Sequence, residues 1–200
     1  MLKRDLSAAH SGRRLTRVVA GLGVCGALLI APGSVLAASA ATGNTTCTGT
    51  IAFTEITTNL TVPPGATCTL VGAVVIDGNV SVGKGSDFAT RPIGSSVPVI
   101  KGNLSTEGAD AVEMSTTTVD GNASFDGTSG PGFCGNSVSV CLARNSFGGS
   151  VSITNTSPGL VVFWGNVVGH DLTCRGNSDV ANLDMPNTVQ GQAFGQCVGL

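Results

Sequence analysis

Of seven cysteines, Cys25 lies in an apolar N-terminal run, and the residues with the most definite chemistry are the other six, Cys47, Cys68, Cys134, Cys141, Cys174 and Cys197. An even set of thiols reads as a disulfide framework wherever a short chain enters an oxidising compartment. Six thiols allow about fifteen pairings on paper. Where contacts are local in sequence, neighbours pair, giving Cys47 with Cys68, Cys134 with Cys141, and Cys174 with Cys197. A zinc centre built from His170, Cys174 and Cys197 is the competing chemistry. It supplies only three ligands and no CxxC pair, so disulfides are the expectation, with no metal and no cofactor.

Acid–base chemistry has thinner support. Asp77, Glu107, Glu113, Asp120 and Asp126 could in principle contain a carboxylate pair at glycoside-hydrolase spacing. Asp77, Lys101 and Asp120 each precede a recurring glycine, so stacking would set a cation between two carboxylates. A lyase-like centre could use that row, and so could a plain surface charge ladder. The ladder is preferred, because carboxylates on both sides raise a lysine pKa and leave it a poor base at neutral pH. The chain has no Tyr, one Trp (Trp164) and, past the first forty residues, one His (His170), so neither a serine triad nor a histidine acid–base site has independent support. No catalytic residue is assigned. A flat hydroxyl face could order water, but the dense tract Ser115-Thr116-Thr117-Thr118 is not repeated.

The elements that must position these residues are repeats. Ile76-Asp77-Gly78-Asn79-Val80-Ser81-Val82, Ile100-Lys101-Gly102-Asn103-Leu104-Ser105-Thr106 and Val119-Asp120-Gly121-Asn122-Ala123-Ser124-Phe125 share one template, with fainter copies starting at Phe147, Val168 and Val189. Their leading positions lie 24, 19, 28, 21 and 21 residues apart, the period of a solenoid with insertions. Apolar residues alternate with Ser, Thr, Asn or Asp inside each copy, which is the two-residue period of strands. The expectation is an all-β, single-stranded, right-handed parallel β-helix of about six coils, with a β-sandwich as the alternative. Gly78, Gly102 and Gly121 would turn the corner, by positive φ or by close backbone approach, while Asn79, Asn103 and Asn122 stack as an amide ladder.

Composition narrows the class. Charged residues are only 11% and hydrophobic ones 42%, which excludes a disordered tail. Lys3, Arg4, Arg13, Arg14 and Arg17 precede the apolar run Val18–Ile30, then Ala31-Pro32-Gly33 and small residues. That is the grammar of an export signal, expected over residues 1–41. General secretion fits better than the twin-arginine route that Arg13-Arg14 suggests, and no sorting motif marks residues 196–200. An N-terminal cap is expected over 42–72 and the repeat domain over 73–200. Past the signal, five cations (Lys84, Arg91, Lys101, Arg144, Arg175) face eleven carboxylates, a net charge of −6 that argues against nucleic acid and anionic membranes as partners.

The opening Cys47-Thr48-Gly49-Thr50, the segment Val62-Pro63-Pro64-Gly65-Ala66-Thr67-Cys68 and the recurring Ile/Val-x-Gly-Asn coils resemble exported right-handed β-helix proteins of actinobacteria. Larger β-helix members are polysaccharide lyases and hydrolases, and others are adhesins or self-stacking filaments. The expectation is a secreted, non-catalytic extracellular solenoid with a structural or binding role. Its expected partner is a cell-wall or extracellular polysaccharide, or a second copy met end to end. A polysaccharide-active lyase or hydrolase is the alternative.

Overall fold

A strand of two to six residues that buries one side cannot stand alone, and this chain solves the problem by stacking. In the computed structural model, which describes residues 43–132, 134–135 and 137–200, each turn lays one short strand in each of three parallel sheets. Sheet A has eight strands, from Thr45–Thr46 to Ala193–Gly195. Sheet B has seven, from Thr50–Ala52 to Asp179–Ala181, and sheet C seven two-residue strands, from Glu55–Ile56 to Thr188–Val189. The architecture is a parallel β-solenoid of about seven turns. The expected signal segment lies outside the described residues.

The interior is built from columns. Leu60, Val80, Leu104, Ala123, Val151 and Leu172 occupy one register position of sheet A and are all buried. Cys68, Phe88, Val112, Val140 and Val161 do the same in sheet B, and Ile56, Ile76, Ile100, Val119, Phe147 and Val168 in sheet C. Each side chain therefore touches its equivalents in the turns above and below, which is how a chain with so few aromatics closes a dry core. Phe147 and Phe163 stack at 6.3 Å between centroids inside it.

Thr45–Thr46 pairs with Leu60–Val62 and Glu55–Ile56 with Val75–Ile76, so the three sheets already run through the segment expected to be a cap. That turn escapes the repeat template because Thr58 stands where later copies carry glycine. At this first corner a side chain fits, and the Thr58 hydroxyl meets that of Thr45 at 3.2 Å.

Cysteines close as sequence neighbours: Cys47–Cys68, Cys134–Cys141 and Cys174–Cys197, separated by 21, 7 and 23 residues. The first and third lie in the core, and Cys174 and Cys197 are thereby consumed as potential metal ligands. Cys134–Cys141 instead lies outside the coil, tying the insertion before strand Val138–Ala143 to the outer face of sheet B.

Candidate functional site

The corner between sheets C and A carries the sequence-derived ladder. Gly102 is needed there because of close approach: a β-carbon added to it would lie 2.5 Å from the Gly78 carbonyl oxygen, while its φ is unexceptional. With the backbones so close, the Asn79 side-chain oxygen accepts the Asn103 backbone N–H at 2.8 Å, and the Asn103 oxygen accepts that of Asn122 at 2.8 Å. The row runs further than the Gly-Asn copies. Asn59 accepts from Asn79, Asn122 from Ser150, and Asp171 from Gln192.

Asp77, Lys101 and Asp120 stack at the same corner, each one residue beyond paired sheet C strands. The Lys101 ammonium sits 2.6 Å from an Asp77 oxygen, with about half of the lysine side chain exposed. Among the described residues Lys101 makes no ion pair with Asp120. The hydrogen bond and charge of Asp77 raise the Lys101 pKa against an opposing desolvation, and Glu55 and Asp120 add lesser contributions at longer range. A lysine held in its ammonium form is an anchor for carboxylates and not a base.

Of the five candidate carboxylates, the fold brings two together. Glu107 and Asp126 are register partners on the outer face of sheet A. Asp126 accepts from the Thr154 hydroxyl at 2.6 Å and the Asn155 amide at 2.8 Å, and these two donors pull its pKa below the ordinary carboxylate range. Glu113 lies on sheet B, where the Arg91 guanidinium grips it with two bonds of 3.1 and 2.9 Å.

Two surfaces were not assigned as sites from the sequence. The first is the outer face of sheet A, where Thr46, Thr61, Ser81, Ser105, Ser124, Ser152 and Thr173 fall in one register column, ending at Phe194. Each copy contributes one hydroxyl to this column between two inward-facing residues, most of them apolar, at the inter-strand spacing of about 4.8 Å. A shallow groove of about 960 Å³ runs along this face past Ser81, Ser105 and Ser124, flanked by Lys84, Glu107 and Asp126. The tract Ser115–Thr118 forms no such face. Thr116 turns a corner at φ 49°, and Thr117 points into the interior.

The second is a recess of about 380 Å³ on the outside of sheet B. Its lining includes Glu113, Ser115, the Cys134–Cys141 disulfide, Val162 and Trp164. Val138, Cys141 and Val162 form an apolar cluster separate from the solenoid core, with Leu160 and Trp164 packed against it. Arg144 lays its guanidinium over the Trp164 ring, 4.8 Å from the centroid.

Among the described residues no group of three or more His, Cys, Asp or Glu side chains could hold a metal ion. Comparison with known proteins found no matching family model, no matching curated protein and no matching solved structure, so the geometry of the chain itself carries the functional argument.

Proposed function

We propose that this is a secreted, non-catalytic extracellular β-solenoid that binds a neutral polysaccharide along the outer face of sheet A. The observation that supports this reading is the hydroxyl column in its groove. Each Ser or Thr offers one donor and two acceptors, and repetition at one spacing suits a polymer whose own hydroxyls recur along its length. Net charge past the expected signal is −6, which disfavours an anionic polymer. Export is supported by the leader-like first forty residues and by three disulfides, which persist in oxidising compartments.

The groove also contains the Glu107 and Asp126 pair, which is what a hydrolase reading would use. Hydrolysis needs one carboxyl to donate a proton. Asp126 is fastened in its charged form by Thr154 and Asn155, a state that accepts hydrogen bonds and does not protonate a leaving group.

The test is sedimentation of the protein with insoluble cell-wall and plant polysaccharides, scoring bound protein and released reducing ends together. Binding without release is expected, and Ser105→Arg with Ser124→Arg should abolish it by blocking the groove. Release of sugar that Glu107→Gln or Lys101→Met abolishes in a folded protein would replace this reading with the enzymatic one.

A further inference from the structure

We infer that the recess on sheet B is a second binding site, for one ring of a neutral pyranose sugar. It stands on a different face from the groove of sheet A and does not depend on that reading. The argument begins with Glu113. Its side chain is only 14% exposed, and Arg91 occupies one position on each carboxylate oxygen. A carboxylate offers about four acceptor positions, so about two remain for donors arriving from the recess. A wholly apolar occupant would seal those positions away from water, at the cost of burying unsatisfied acceptors. An anionic group brings acceptors and no donors for those positions. A sugar ring supplies both needs, hydroxyl donors for Glu113 and Ser115 and an apolar C–H face for Val162 and the Trp164 indole. At about 380 Å³ the recess falls within the usual range of small-molecule sites.

A second observation comes from the backbone. The corner after sheet B takes the left-handed conformation in several turns, and Gly72 (φ 68°) and Gly165 (φ 64°) fill it at no steric cost. Arg144, the register neighbour of Gly165, is held there at φ 55° although it carries a side chain. Phe53 (φ 48°) and Thr116 (φ 49°) hold the same corner in other turns, so the conformation belongs to the fold, and what Arg144 adds to it is a guanidinium that lies on Trp164. Arg144 is a positioning residue that holds the indole against the recess.

Trp164 is the only tryptophan and the chain has no tyrosine, so its emission reports on this recess alone. The experiment titrates the protein with cellohexaose, xylohexaose, maltohexaose and chitohexaose while recording tryptophan fluorescence. A saturable shift or quench with at least one of them is expected. Glu113→Gln should weaken that binding by about tenfold. Arg144→Gly should weaken it several-fold while the melting transition stays cooperative, and the sheet A variant Ser105→Arg should leave it unchanged. Absence of any emission change up to about 10 mM sugar overturns the site. So does binding that Glu113→Gln leaves intact, or binding that Ser105→Arg abolishes together with that of the insoluble polymers.

Discussion

Two rows of side-chain amides climb this solenoid, one on its surface and one in its interior. On the surface, Asn59, Asn79, Asn103 and Asn122 each accept the backbone N–H of the next turn in exposed positions. In the interior, at the corner between sheets B and C, the Asn145 oxygen accepts from the Thr117 N–H, Asn166 from Asn145, and Asn187 from Asn166, at 2.9 Å each. Asn145 and Asn166 are 1% exposed, and their amide groups also donate to the Met114 and Leu142 carbonyls. The motif is nearly the same and its surroundings are opposite. Outside, water replaces a lost partner. Inside, nothing does, so the buried row fixes the path of the corner while the exposed row mainly trims it.

The largest effect comes from breaking the frame on which both rows hang. Leu104→Asp places a charge in the core column between Val80 and Ala123 and should prevent folding, seen as loss of the cooperative thermal transition. Asn166→Ala comes next. It removes the acceptor of the Asn145 N–H and the donor to Leu142, and should cost about 3 kcal/mol in chemical denaturation. Asn103→Ala deletes the equivalent exposed rung and should cost about 0.5–1 kcal/mol. Equal costs at the two sites would end the distinction between the rows.

Smaller still is Lys101→Met, which should shift the melting temperature slightly at neutral pH and alter no binding. Its pH signature is specific. The Lys101 pKa is raised in the folded state, so its contribution is complete below the unfolded value near 10.5 and disappears as pH climbs through the folded value. Asp126 works from the other side. Its pKa is lowered, so its contribution is complete above about 3.8 and fades as pH falls through the folded value. Asp126→Asn should flatten the acid limb of a stability profile and Lys101→Met the alkaline limb, with neither changing its slope near pH 7.

The exposed row could be read from the sequence and the buried row could not, for a reason visible in single residues. Gly78, Gly102 and Gly121 mark the outer corner because close backbone approach admits no β-carbon, so Gly-Asn recurs as a pair. The inner asparagines follow Arg144, Gly165 and Pro186, three unlike residues, and nothing in the string announces them. Core positions Val80, Leu104, Val151 and Leu172 were legible from alternation, and all are buried. The first turn was hidden by Thr58. The hydroxyl column was half visible, because its members are scattered one per turn while the eye is drawn to the run Ser115–Thr118. The sheet B recess had no local signature at all: Glu113, Cys141 and Trp164 belong to three successive turns, and only the register of strands gathers them.

The two rows also point in opposite directions along the chain. In the surface row a later turn donates to a side chain already laid down. In the buried row the earlier turn donates to a side chain still to come, Asn145 to Asn166 and Asn166 to Asn187. A polypeptide that leaves a ribosome or a translocation pore amino end first therefore finds each outer acceptor waiting, while each inner donor must wait one turn for its partner. Growth of the solenoid is templated on the outside and ratified from within. In pulse-labelling hydrogen exchange during vectorial release, the Asn122 amide should be protected as soon as its own turn forms, and the Asn145 amide only after residue 166 has joined the stack.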